Sequence, residues 1–364
     1  GLEASRLFAR SEINMGVDAF RDSLYAMLKR NTFLNIKFEN MLDTLGEMSR
    51  TDLYSYLKEW EQLTPLPFYS IGEPELTKVV NKGGEEFFVL KVLVSNNSDY
   101  DGIIQMNVLQ NGWWYQPMED PRARKKVEIA AHTSKEFVSV WEEQIRDVEI
   151  NTMVSGNLPY MIRQSIGNVK QERNKIVKDT IYTLPESSLE MPGEVIVDNE
   201  DSTLFVLSTP AVVGLLPKWL DKVEDTSFKY SGISWWRAPL QWTATTNAKY
   251  YGKYIRSAYV IKSGDGSQTA TWKIPVPEAG QYELYYHVFK DDELRWNDRL
   301  QGEYHFRVAY DSEMEDAYIN LRKANEGWEQ LGTYYFSADT VRVVLTDECK
   351  LRSVTADAVK IVKR

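Results

Sequence analysis

The chain has 364 residues, 43% hydrophobic and 26% charged, which predicts two or three domains with apolar cores and excludes a disordered chain. Its net charge of −10 is spread along the sequence, and no basic stripe exists to follow a phosphate backbone, so nucleic acid is excluded as a partner. The single cysteine, Cys349, allows no intrachain disulfide, and no apolar run approaches the ~18 residues of a membrane helix.

The start, Gly1-Leu2-Glu3, without Met or signal sequence, reads as the beginning of an excised piece of a longer protein. Residues 1–64 read as a helical lead-in. Phe20, Leu24, Met27 and Leu28 fall on one helix face, and Phe38, Met41, Leu42 and Leu45 repeat the spacing. Gly46 and Ser49 mark a break. Ser49-Arg50-Thr51-Asp52 then offers a cap for a further helix carrying Leu53, Tyr56, Leu57 and Trp60. Pro65 and Pro67 end helix formation.

From 65 to 185 the pattern changes to short strands. Phe87 to Val94, Ile103 to Leu109, Val127 to Ala131, Phe137 to Trp141 and Val148 to Met153 are strand segments, with Asn111-Gly112 as a turn. Gln164 to Lys178 reads as a strand and then a polar linker. The set predicts an immunoglobulin-like β-sandwich. The wealth of flat side chains, 21 Tyr and 11 Trp, agrees with a mainly β, multi-domain protein. Glu186-Ser187-Ser188 and Pro192-Gly193 mark the next boundary.

The last domain, 192–364, carries an ordered series of signatures. Val197-Asp198-Asn199-Glu200-Asp201 opens it. Thr269-Ala270-Thr271-Trp272-Lys273-Ile274-Pro275 and Ala279-Gly280-Gln281-Tyr282-Glu283-Leu284-Tyr285 come next. Gly327-Trp328-Glu329-Gln330-Leu331-Gly332 and Ala356-Asp357-Ala358-Val359-Lys360-Ile361 close it. Trp272, Tyr282 and Leu284 are expected in the core, Pro277 and Gly280 in a turn, and Asp357 on buried backbone donors. In this order the signatures resemble the golvesin C-terminal domain, also called the xanthan lyase carbohydrate-binding-like domain. The resemblance implies a jelly-roll-like β-sandwich, a polysaccharide or cell-surface glycan as partner, and a periplasmic or surface location. Residues 202–241 read as an insertion that includes Trp219, Trp235 and Trp236.

The region 1–160 is similar in a looser way to the segment immediately C-terminal to the catalytic domain of gluzincin aminopeptidases, on Phe38-Glu39-Asn40-Met41-Leu42, Asp52-Leu53 and Trp60 before Pro65 and Pro67. This implies an alternative, an accessory region packing on a missing upstream zinc domain. No H-E-x-x-H occurs in this chain.

No catalytic motif stands out, and paired carboxylates for glycoside hydrolysis, which come from distant positions, stay open at this level. The three histidines, His132, His287 and His305, lack zinc-ligand spacing, and Gly-x-Ser-x-Gly is absent. No cofactor is implied. Gly264-Asp265-Gly266 reads as a hairpin turn. Asp198, Glu200 and Asp201 offer the clustered oxygens that calcium prefers, with a strand-opening turn as the plainer reading. Sugars stack on aromatic faces, which makes Trp235, Trp236, Trp242, Tyr250, Tyr251 and Tyr254 the candidate ligand-binding residues. In an extended Trp235-Trp236 pair one ring anchors and the other faces out. The expected function is a non-catalytic binding or scaffolding region of a larger extracytoplasmic bacterial protein.

Overall fold

Three helices open the chain: α1 (Leu2–Met15), α2 (Val17–Arg30) and α3 (Phe38–Ser49). The computed structural model describes all residues except 1, 33, 55–64, 111–119, 168, 174–176, 188, 190–192, 209–227, 234–236, 291–301 and 312. Phe20, Leu42, Leu45 and Leu53 form the buried centre of the helical cluster. Leu28 and Phe38, read as core from their spacing, are exposed at 52% and 48%. Three short helices have too little partner surface to cover a full stripe. Of the further helix, Leu53 is buried, while Tyr56, Leu57 and Trp60 lie outside the described residues. Helix α1 also reaches the neighbouring strands: Ala9 is buried with Ile103 and Met153.

Ten described strands belong, with these helices, to the first compact unit, Gly1–Leu189. They are β1 (Tyr69–Ile71), β2 (Glu75–Val80), β3 (Glu86–Asn96), β4 (Gly102–Gln110), β5 (Arg124–Ile129), β6 (Thr133–Trp141), β7 (Ile145–Asn151), β8 (Met161–Ser165), β9 (Val169–Arg173) and β10 (Thr180–Pro185). One sheet has the order β10-β6-β3-β2-β9 with β1 beside β3, and a second has the order β5-β4-β7-β8. Leu90, Val92, Phe137 and Trp141 of the first share one apolar cluster with Ile104, Met106, Val148 and Ile150 of the second. Burial at alternate positions on these strands is what merges the two faces into one core. The Asn111-Gly112 turn lies outside the described residues. The segment read as strand and linker instead holds the end of β8 and all of β9, and β9 pairs in parallel with β2.

The second compact unit, Glu190–Arg364, holds twelve described strands. They are β11 (Glu194–Val197), β12 (Phe205–Leu207), β13 (Thr243–Thr246), β14 (Ser257–Lys262), β15 (Thr269–Pro275), β16 (Gly280–Val288), β17 (Glu303–Tyr310), β18 (Glu313–Asn320), β19 (Gly327–Phe336), β20 (Thr340–Thr346), β21 (Ser353–Ala356) and β22 (Val359–Lys363). Three sheets result: β11-β22-β16-β19, β12-β15-β20-β17-β18 and β13-β14-β21. One cluster joins them, with Trp272, Tyr282, Leu284, Tyr286, Phe306, Phe336 and Val354 at its centre. Trp272 and Leu284 are fully buried and Tyr282 is 1% exposed, as their alternation requires.

Gly264-Asp265-Gly266 is a turn but not a hairpin, because β14 and β15, which it connects, belong to different sheets. Asp347 closes it by accepting hydrogen bonds from the Gly266 N–H at 2.8 Å and the Gln268 N–H at 3.2 Å. A Cβ on Gly264 would lie 2.1 Å from the Asp347 carboxylate, so a side chain there would displace the group that closes the turn. The protein is therefore mainly β with N-terminal helices and several sheets. Among the described residues no helix is long and apolar enough to cross a membrane.

Candidate ligand-binding face

The outward face of the β11-β22-β16-β19 sheet gathers rings and charges around Asp357. On β16, Tyr282, Leu284, Tyr286 and Val288 turn into the core, so Glu283, Tyr285 and His287 turn away from it. Tyr285 stands opposite Lys360 of β22, and His287 opposite Trp328 of β19. A bulge decides the second pairing. Leu284 pairs with Gly332 but Tyr285 with Gln330, so Leu331 is an extra residue. Without it Trp328 would share the inward face of Tyr334 and Phe336. One inserted residue moves the indole to the other side of the sheet.

Tyr251 arrives from the loop between β13 and β14. Asn247 shapes that loop, its N–H bonding the Arg256 carbonyl at 3.1 Å and its Oδ1 accepting the Lys249 N–H at 3.0 Å. Gly252 (φ 149°) passes so close that a Cβ would lie 1.9 Å from the Ile255 carbonyl oxygen. The Tyr251 ring lies 5.0 Å from Trp328 and 5.8 Å from His287, and His287 meets Trp328 edge-on at 5.1 Å. Lys360 Nζ sits 4.9 Å above the Trp328 ring and 5.4 Å from that of Tyr285, and pairs with Glu194 at 2.9 Å. Such cation–ring contacts hold an indole at a set angle.

Beneath the rings lies Asp357, fully buried. Its carboxylate accepts the Tyr251 N–H at 3.2 Å on each oxygen and lies 2.9 Å from His287 Nδ1. The sequence expectation that Asp357 satisfies buried backbone donors is met by Tyr251. Burial pushes this carboxyl up, with the neighbouring His287 pulling it back. Its backbone carbonyl accepts the Trp272 indole N–H at 3.2 Å. The aromatic face is thus tied directly to the core.

The other candidates disperse. Tyr250 is buried, edge-on to Phe289 at 4.7 Å. Trp242 packs half-buried against the main core, and Tyr254 stands beside Lys253, whose Nζ is 5.6 Å from its ring. Trp219, Trp235 and Trp236 lie outside the described residues. Sequence reasoning missed His287, Trp328 and Lys360 as site residues. The Gly327-Trp328 signature marked the place, but an unbulged strand would put Trp328 on the face of Tyr334 and Phe336.

The calcium candidates separate as well. Glu200 accepts hydrogen bonds from the Ser257 hydroxyl and from Tyr230 at 3.0 Å, and pairs with Lys229. Asp201 accepts the Asp198 N–H at 3.0 Å in a turn. Burial, then the nearby Asp357 charge, pushes the Asp198 carboxyl well up, and burial with the Glu200 charge raises the Tyr230 phenol to about 12. Among the described residues no three His, Cys, Asp or Glu side chains gather as a metal set. His287 and His305 lie in different sheets.

With the strands in place, comparison with known proteins becomes informative. Residues 235–363 match the golvesin C-terminal domain. The golvesin match begins at Trp235, so Trp235 and Trp236 fall inside the family pattern. No curated protein matches the chain. Among solved structures, the xanthan lyase of Paenibacillus aligns with 83% of this chain and 27% of its own length, at 17% identity and a TM-score of 0.33. The β-glucuronidase of Bacteroides uniformis aligns with 87% of this chain and 32% of its own, at 10% identity and a TM-score of 0.22. The chain spans about a third or less of either protein.

Proposed function

We propose that this chain is a non-catalytic glycan-binding and scaffolding region of a larger extracytoplasmic bacterial protein, at the periplasm or cell surface. In this reading the first unit is an immunoglobulin-like sandwich and the golvesin domain is a jelly-roll-like frame that presents the ligand. The observation that carries it is the Tyr251–His287–Trp328 cluster, set on one loop and two strands within the golvesin match and held by a buried carboxylate. A ring face on an open sheet suits an extended chain of sugars better than a small molecule, which needs a concave pocket. Two depressions among the described residues, one lined by Gln144, Ile145, Arg146 and Ile166 and one by Lys78, Val80, Gln171, Glu172 and Arg173, belong to the first unit and contain none of the candidate residues.

A glycan array with titration of the best binder tests the reading. Trp328→Ala should weaken binding roughly tenfold, as ~1.4 kcal/mol of stacking implies, while the thermal transition moves little. An array without binders, or a binder indifferent to Trp328→Ala and Tyr251→Ala, would remove the cluster as the site.

A further inference from the structure

The opposite sheet of the golvesin domain, β12-β15-β20-β17-β18, has an outward face of different character. Trp272, Ile274, Phe306, Val308, Val341, Val343 and Leu345 turn inward. Their neighbours in sequence therefore point out. Lys273 of β15 lies directly across from Arg342 of β20, and Arg342 across from Ala309 of β17. Arg307 stands two residues before Ala309, on the same face. Like charges placed directly opposite repel, yet this face sets three cations on adjacent strands of a chain whose net charge is −10.

Among the described residues none of the three cations has an ion pair or side-chain hydrogen bond, although carboxylates are near. Asp316 stands opposite Arg307 but directs its Oδ1 to His305 Nε2 at 2.9 Å. Glu348 lies 3.6 Å from the other ring nitrogen of His305. The histidine draws the local anions to itself and leaves the guanidinium groups and the ammonium unmatched. It also carries a platform: His305 and Tyr318 stack at 5.0 Å with an interplanar angle of 14°, and Tyr318 is 58% exposed. Hydroxyl-bearing Thr271 of β15 lies opposite Val344 of β20, whose other neighbour is Arg307.

We propose that this face binds an acidic polysaccharide, with Lys273, Arg307 and Arg342 meeting its carboxylate or sulfate groups and Tyr318 stacking on a sugar ring. The charge pattern selects this partner. A nucleic acid presents a phosphate every ~1.7 Å of duplex and calls for a long basic track, whereas here three cations are bounded by Asp316, Glu303 and Glu348. The proposal stands apart from the Tyr251–Trp328 cluster, which lies on another sheet.

Affinity electrophoresis of the full chain in gels containing polygalacturonate, dextran or single-stranded DNA tests it. Retardation by polygalacturonate alone is expected, weakening with salt. A K273E/R342E double variant should lose at least tenfold in apparent affinity, and Tyr318→Ala a smaller factor. Loss of retardation on K273E/R342E assigns the binding to this face rather than to the Tyr251–Trp328 cluster, which lies on another sheet and which those substitutions do not touch. If K273E/R342E does not fold, K273Q/R342Q serves in its place with the same expectation. The proposal is overturned by absence of retardation, by equal retardation in dextran, by retardation in DNA alone, or by charge-altered variants that bind polygalacturonate as the parent does.

Discussion

In the first unit Asn157 closes both backbone bonds of Tyr69, at 2.9 and 2.7 Å, and Asn96 donates to the Tyr100 and Ile129 carbonyls. Ser134 and Ser95 share a buried hydroxyl bond at 2.9 Å. In the second unit the corresponding ties are acids and phenols: Asp357 under Tyr251 and His287, Asp347 on Gly266 and Gln268, Glu200 on Ser257 and Tyr230, and the Tyr286 hydroxyl on the Thr355 carbonyl. Amides and hydroxyls satisfy buried backbone without carrying charge. Carboxylates make stronger bonds but must be desolvated and partnered. The first unit is not free of buried acid, since Asp147 is buried, but there a guanidinium, Arg163, faces it at 2.6 Å. The difference teaches that buried acids at Asp357 and Asp198 couple the second unit to protonation, whereas in the first unit the buried backbone at Tyr69 and Ile129 is held by neutral amides.

The largest expected effect is that of Asp357→Ala. Removing a buried, partnered acid costs about 3–5 kcal/mol, read by chemical denaturation. Asp357→Asn should cost much less, because the amide oxygen still accepts the Tyr251 N–H. Equal losses would show that the charge itself, through His287, is indispensable, and would sharpen the contrast between the units. Asn157→Ala should cost about 1–3 kcal/mol, seen as faster hydrogen exchange at Tyr69 with no dependence on pH beyond the intrinsic one. A strongly pH-dependent loss at Asn157 would break the comparison.

Asp198→Asn tests the coupling more finely. The Asp198 carboxyl is held well above the usual carboxylate range by burial and by Asp357, so the folded state keeps its proton longer than the unfolded one. Stability from this group is present below about pH 4 and falls as pH rises through the raised value. The Asn variant should flatten that decline and be the more stable form at neutral pH in parallel melts. A variant whose pH profile overlays the parent would dismiss Asp198 as a titrating group. The smallest effect is expected at His132, on the surface of the first unit. Its ring nitrogens bond Asp99 at 2.8 Å and Glu186 at 2.7 Å, which raises the imidazole. The stability it adds is full below about pH 6.5 and fades as pH rises through the raised value. His132→Gln should remove that slope, and exchange of the Ser187 N–H, bonded to Ser95 Oγ at 3.0 Å, is the local readout.

Much of the frame is legible in the residues. Alternation in Thr269-Ala270-Thr271-Trp272-Lys273-Ile274-Pro275 and in Gln281-Tyr282-Glu283-Leu284 is local, and it places Trp272, Tyr282 and Leu284 inward because side chains on a strand change face at every step. Strands such as β2, β13 and β14 are not legible in this way: Thr243–Thr246 is only four residues long, and β2 has an irregular burial pattern. Short or irregular strands are defined by the partners they pair with, and pairing is not a local property.

The site divides in the same way. Sequence by itself marked Tyr251 as a candidate ring, Asp357 as a buried acceptor, and the ordered signatures of the golvesin match, since each rests on residue type and near neighbours. Only the tertiary structure decided that Trp328 leaves the core, because that depends on one bulged residue, Leu331, against a strand more than forty positions away. Only it decided that Trp242 and Tyr250 serve packing, and that Lys273, Arg307 and Arg342 share one face. Faces are set by register between strands, and register is written in the sum of all the pairings rather than in any one segment.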